Sequence, residues 1–379
     1  MREDMHYYGT LAIALAAGIP QNDAQIIAYA AQYVDDSTGE SSRVHKDHGM
    51  LYAIGTAHNP VQSILNRIGR RMEGTEVQRK IWIPFHFLPG GKGETLSEKL
   101  ICLKNSDIAR EMLENNFEIA LKKPYGIELM GITAHVFMDT FSHYGFSGIT
   151  SSYNRVNNET IQFIKEPENA AYIKEKFKNF FDKRIVTNIP MDIGHAGVAT
   201  YPDRPYLQWC FNFEKPRPHN NEITSIRDNR ADFLEACKCL YTYFKTFAKA
   251  KKYPAADKYK SFKDIEKFKI LNAFFPGVSK TKKNKSITGY NSFMDSVMEI
   301  ISKEVSMVEH IKAWKESGLI PEDAAYDPKI WENERNEFCD HESSSDAITN
   351  LVYRFHQAAT FHRYYVLKDL LPKYGIAVF

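Results

Sequence analysis

Cysteine is scarce in this chain. Only five of its 379 residues are cysteine (Cys102, Cys210, Cys237, Cys239 and Cys339), an odd number with no Cys-x-x-Cys pair. Cys237-Lys-Cys239 is too tight for a usual zinc knuckle, so neither a disulfide framework nor a thiolate-held metal is expected. Long apolar runs are also missing: none reaches the roughly 18 residues that a membrane-spanning helix needs. The apolar stretch from Leu11 to Ile19 is short, follows Arg2-Glu3-Asp4 and lacks a basic leader. A cytoplasmic location is therefore expected, with export by a leaderless route left open. Charge of one sign is not in excess; the net value is +2. That excludes a broad electrostatic grip on nucleic acid or a lipid surface, so no stable nucleic-acid binding is expected. Strand-like alternation is nearly absent, and no repeat or low-complexity tract stands out.

Several catalytic signatures are missing as well. There is no His-Glu-x-x-His of a zinc protease and no Gly-x-Ser-x-Gly of a serine hydrolase. No histidine is followed directly by aspartate, as a His-Asp phosphohydrolase would require.

What is present is a helical, aromatic-rich chain with scattered imidazoles. Hydrophobic content is 43% and charged content 25%, ordinary for a folded domain, while aromatics reach 13%. Such rings build thick helical cores and line pockets. The central stretch is Gly131-Ile-Thr-Ala-His135-Val-Phe-Met-Asp139-Thr-Phe-Ser-His143. On a helix of roughly Pro124 to Tyr144, the i, i+4 and i+8 positions form one row, so His135, Asp139 and His143 point the same way. All three are metal-ligand types. Each alone is ordinary; together in register they mark a candidate metal site.

Residues 5–17 and a second helix after Asn22 form a hairpin, which brings Asp4 and His6 beside Asp35 and Asp36. Two acids at a helix C-terminus oppose the macrodipole and need compensation, which a cation would supply. Residues 37–60, with His45, His48 and His58, are expected to form a loop. In Phe85-His86-Phe87-Leu88-Pro89, Pro84 and Pro89 bracket a short extended run whose His86 is buried and needs a partner, a metal or a carbonyl. Residues 96–121 read as helix, interrupted near Ser106 by a fresh N-cap. Residues 160–183 are expected to be helical. His195 lies between Asp192 and Asp203 in a Gly- and Pro-rich loop that suits a site. Helices are expected over 221–252, 291–316 and 344–372, and the basic stretch 279–285 reads as a solvated loop. The expectation is an all-α single domain. Residues 4–209 would be the metal-binding core, 210–342 an additional helical layer, and 343–379 a C-terminal helix packing back.

Taken in order, His6, Asp35 or Asp36, His86, the His135–Asp139–His143 row and His195 resemble the zinc-dependent phospholipase C and single-strand-specific nuclease superfamily. The phrases His6-Tyr-Tyr, Tyr29-Ala-Ala-Gln-Tyr-Val-Asp-Asp36, Phe85-His-Phe-Leu-Pro89, Gly194-His and Pro202-Asp-Arg-Pro also look like an uncharacterised family of bacterial proteins. The resemblance covers about residues 4–209. It implies an all-α bundle with two or three zinc ions at the base of a cleft, manganese or iron being alternatives.

It further implies Asp139 as bridging carboxylate. His135, His86 and Asp35 or Asp36 would complete one metal site, His6 would bind a second metal beside Asp139, and His143 and His195 would begin a third. Asp35 or Asp36 would act as general base. Three departures stand out. Those phospholipases ligate zinc through a mature N-terminal tryptophan, for which Asp4 is the nearby substitute here. They carry a Glu where this chain has Ala199, for which Asp203 or Asp192 could stand in. The spacing before His143 is also shorter. The implied activity is hydrolysis of a phosphoester (a phospholipid headgroup, a nucleotide or another small phosphodiester) by metal-activated water. The alternative is a non-catalytic helical binding or scaffold protein with a structural metal.

Overall fold

The computed structural model describes residues 1–57, 76–187, 192–216, 226–253 and 289–378. The expectations for His58 and for the basic stretch 279–285 lie outside them. The fold is mostly helical but not purely all-α, because it includes two small antiparallel sheets.

Helix α1 starts as a π-helical turn, Asp4–Gly9, and continues through Thr10–Ala16. It stops at Gly18, whose φ of +90° suits glycine. Helix α2, Gln21–Asp36, returns alongside it. The stretch expected as a loop instead forms a hairpin, β1 (Ser41–Val44) with β2 (Met50–Ala53), in which Val44 pairs with Met50. Helix α3 begins as Gln78–Trp82 and ends in Ile83–Phe85. Residues 83–85 are thus helical and not extended: Pro84 falls in the last turn of α3, directly after its π-helical stretch, and forgoes one helical hydrogen bond there. Helix α4 (Leu96–Lys99) is closed by a Thr95/Glu98 capping box, and Ser106 caps α5 (Asp107–Ala120).

The central helix α6 runs Gly126–Ser142, and nearly every residue on it is buried. It is apolar over most of its circumference, and the polar side chains it buries, Glu128, His135 and Asp139 among them, need partners inside the protein. Helices α2 and α5 pack against it, as do α8 (Asn229–Ala250) and the start of α12 (Leu351–Tyr364).

Beyond α6 the expectation of continuous helix fails in part. Val156–Phe163 is strand β3, and helix α7 occupies Ala170–Thr187. Strand β4, Gln208–Phe213, lies between β3 and β5, Ile226–Asp228. Trp209, Phe211 and Phe213 do alternate, and Trp209 and Phe211 reach a small aromatic core with Phe87, Phe146 and Tyr201. That period of two over six residues is the signal for β4. Helix α8 accordingly starts at Asn229, capped by Asp228. Helices α9 (Tyr290–Ile301), α10 (Met307–Glu316) and α11 (Lys329–Asn336) follow; α12 continues through Tyr365–Leu370 to Leu371–Lys373. Among the described residues, no helix is long and apolar enough to cross a membrane.

Candidate metal centre

Five separate stretches bring imidazoles and carboxylates to one place. Helix α1 supplies His6, the C-terminal turn of α2 Asp35, and the turn after α3 His86. Helix α6 supplies His135, Asp139 and, at its C-cap, His143. The loop before β4 supplies His195 and Asp203. Among the described residues, three groups are close enough to hold an ion: His6, Asp35 and His135; His86, His135 and Asp139; and His143, His195 and Asp203. Within each group the ligand atoms lie within 4.8 Å of one another.

Asp139 is the hub. Its Oδ2 lies 3.2 Å from His135 Nε2, 3.4 Å from His86 Nδ1 and 3.6 Å from His143 Nδ1. Its Oδ1 lies 3.2 Å from His6 Nε2. His143 Nε2 is 3.2 Å from Asp203 Oδ1, and His195 Nε2 is 3.6 Å from Asp203 Oδ2. Asp35 Oδ1 stands 3.8 Å from both His86 Nδ1 and His135 Nε2.

The backbone sets the orientation of the rings. In the tautomers that satisfy the network, His135 Nδ1–H donates to the Ala31 carbonyl, His143 Nδ1–H to that of His86 and His195 Nδ1–H to that of Ala199, each at 2.7 Å. His86 Nε2–H donates to the Thr56 carbonyl at 2.9 Å. Each ring therefore turns a bare nitrogen toward the cluster. His86 Nδ1 and His135 Nε2, both lone-pair bearing, face each other at 3.2 Å. Two acceptors so close, with a carboxylate beside them, need a cation or a proton between them. His6 Nδ1 is buried without a hydrogen-bond partner. This donor set, all nitrogen and oxygen, fits a divalent ion such as zinc, manganese or iron.

Electrostatics follows from burial and crowding. Burial alone would raise the Asp139 carboxyl, but His143, the Met1 amine, His135 and His6 together hold it well below the carboxylate range. Asp203 behaves likewise: burial is outweighed by His195, the Met1 amine and His143. Desolvation pushes His6 well below an ordinary imidazole and brings His195 down to about 4, so both stay neutral and available as ligands. His86 goes the other way: burial is overcome by Asp139 and Asp35, and its basicity rises. Asp35 is raised by desolvation, partly offset by His135 and His86. A third of its side chain (33%) nonetheless meets solvent, which places it at the mouth.

The mouth opens into a cavity of about 250 Å³ whose apolar wall is Ala57, Trp82 and Phe87. Phe87 stacks on His143 with centroids 4.7 Å apart. Phe146, Tyr201 and Trp209 belong to the small aromatic core behind the pocket, and Phe85 to the main core.

Several sequence expectations find other places. Asp36 belongs to none of the three groups: it accepts from Tyr326 Oη at 2.6 Å and Gln32 Nε2 at 3.1 Å. Adjacent residues on a helix diverge by about 100°, so Asp35 and Asp36 cannot both face the cluster. Asp4 is not a substitute ligand, because it pairs with Arg2 and with His310 at 2.5 Å. Asp192 is bound by Arg155. His45 donates to the His341 carbonyl, pairs with Asp47 and belongs to none of the three groups. Two features had no signal in side-chain spacing. The Met1 nitrogen lies 2.5 Å from Asp139 Oδ1 and 3.3 Å from Asp203 Oδ1. Although burial works against it, Asp139, Asp203 and Asp35 lift that amine to about 10. Ala199, where a carboxylate was sought, contributes its backbone carbonyl from a left-handed φ of +48°.

A family model matches residues 1–370, and no curated protein and no solved structure matches the chain. The chain thus belongs to the family of unknown function DUF6765.

Proposed function

We propose that the cluster is a two- or three-ion centre that hydrolyses a small phosphoester, such as a phospholipid headgroup, a nucleotide or another phosphodiester. The observation that carries this reading is the set of bare nitrogens on His86, His135, His143 and His195, each fixed by a carbonyl behind its ring and all facing shared carboxylates. Resemblance to the zinc-dependent phospholipase C and nuclease superfamily supports the reaction class. When bound, divalent ions supply Lewis acidity and a water of lowered pKa.

The chain's own residues divide the remaining work. Asp139 is the shared carboxylate, with His86 and His135 on one side, His6 and the Met1 nitrogen on another. His143, His195 and Asp203 form the far group. Asp35 completes the near groups, and its exposed edge can accept a proton from a water at the mouth, the role of general base. Asp36, one position along, is committed to Tyr326 and is left out of the proposal. Trp82 and Phe87 exclude water and offer a flat face to the substrate's leaving group.

The near-complete burial of His6, His135 and Asp139 favours a second reading, a scaffold protein with a structural metal. Elemental analysis of the purified protein, paired with turnover of bis-para-nitrophenyl phosphate, separates the two. The proposal expects two or three metal equivalents and turnover. It also expects Asp139→Asn to lose metal and to lower turnover about a hundredfold or more. One tight equivalent without turnover supports the scaffold, and full metal occupancy in Asp139→Asn overturns the assignment.

A further inference from the structure

Arg227, on β5, is among the largest fully buried side chains, 1% exposed. A guanidinium rarely goes into a protein interior without a carboxylate, since the desolvation cost is large. Among the described residues its hydrogen-bond partners are backbone carbonyls: Nη1 donates to Ser142 at 3.4 Å and Nη2 to Tyr144 at 2.5 Å. Those two carbonyls flank His143. The Ser142 carbonyl is the last of α6 and that of Tyr144 follows its C-cap, where the macrodipole is negative and the last carbonyls lack helical partners, so a buried cation there is compensated.

The fork is held in turn. The guanidinium lies 3.4 Å over the Tyr144 ring. Tyr144 Oη donates to Asp232 at 3.0 Å, and Lys104 Nζ donates to the other oxygen of Asp232 at 2.8 Å. The backbone of Cys102 also bonds to Gly145 and Phe146, each at 2.8 Å. His143 therefore sits on a turn held by both Arg227 and Cys102, with Nδ1 to the His86 carbonyl and Nε2 toward Asp203.

We infer that Arg227 is a positioning residue of this centre, fixing the turn that aims His143 at the ion shared with His195 and Asp203. Arg227 touches no ligand atom itself and acts through the Ser142 and Tyr144 carbonyls. The inference rests on the metal-centre reading and adds a selectivity to it: loss of Arg227 weakens one of the three groups and spares the two that do not use His143. Lysine is no equivalent here, because one ammonium cannot supply the planar fork that reaches both carbonyls.

Cobalt(II) titration of the full chain tests this, since d–d absorption reports each filled site separately. Wild-type protein is expected to fill its sites, whereas Arg227→Met should lose one equivalent, with the spectrum of the others unchanged. Arg227→Lys should fold and bind that equivalent about tenfold more weakly; if Arg227→Met does not fold, the lysine variant decides. Unchanged stoichiometry and affinity in a folded variant overturns the inference while leaving the metal centre intact, and so does an equal weakening of every site. Wild-type protein that takes up no cobalt overturns both.

Discussion

Side chains outside the candidate metal centre show how much one buried group can matter. Glu128 lies in the first turn of α6 with 1% exposure, and its Oε2 has no hydrogen-bond partner. Burial pushes its carboxyl up to about 7 from an ordinary 4.5; Arg354 offsets part of this, while Asp23 and Glu334 add to it. An acid with a raised folded-state pKa binds its proton more tightly when folded. Stability is therefore undiminished below about 4.5 and falls as pH rises from there through about 7. Glu128→Gln removes that loss. We expect the variant to be more stable than wild type by up to about 3 kcal/mol near pH 8 and no different near pH 4, from one pKa unit being about 1.4 kcal/mol. Urea unfolding at both pH values measures it, and an equal effect at the two would refute the titration.

At this scale the sequence was legible where side chains repeat at helical spacing, as in His135, Asp139 and His143. It was blind to the carbonyls of Ala31, Thr56, His86 and Ala199 and to the Met1 nitrogen, because backbone atoms have no letter of their own. Asp35 and Asp36 were indistinguishable until the phase of α2 was known.

Among the elements, the crossing of α2 and α6 decides whether the cluster closes. Gly131 permits it: a Cβ there would stand 2.3 Å from the Ile27 carbonyl oxygen and 2.6 Å from Ala30 Cβ. The close approach lets His135 reach the Ala31 carbonyl and sets Asp35 within 3.8 Å of the same ring. Gly131→Ala gains helix propensity but meets backbone, which cannot swing aside, so the balance is unfavourable. We expect a loss of about 1–3 kcal/mol in thermal or chemical unfolding, together with weaker metal binding because Asp35 is displaced. Unchanged stability would mean that the helices slide apart freely.

Helices were easier to foresee than strands for a related reason. The long helices α2, α5 and α6 repeat their apolar pattern over several turns. Strand β3, Val156-Asn-Asn-Glu-Thr-Ile-Gln-Phe163, is mostly polar and exposed, and its pairing with β4 depends on residues about fifty positions away. In β4 the alternation of Trp209, Phe211 and Phe213 was present but only six residues long.

Across the whole molecule, the candidate metal ligands come from residues 1–209, yet the core they rest on does not. A single apolar cluster runs from Met1 and Leu11 through Phe244 and Trp314 to Phe355 and Val378. Tyr33 on α2 meets Trp331 of α11 and Phe355 of α12, with ring centroids 5.0 and 4.9 Å away. Asp4, two residues before His6, is anchored by His310 of α10. Helix α8 lies against both α1 and α6. We propose on this basis that the chain is one folding unit and that the segment after 209 is integral to it.

Each large apolar side chain stripped of its cover forfeits about 1.5–3 kcal/mol, and removing α8, α10 and α12 uncovers many of them at once. Total stability of a domain is only about 5–15 kcal/mol, so a fragment of residues 1–209 should not fold. It should show no cooperative thermal transition by circular dichroism and take up no stoichiometric metal, although every proposed ligand is present in it. A fragment that melts cooperatively and binds metal would instead make residues 4–209 an autonomous core.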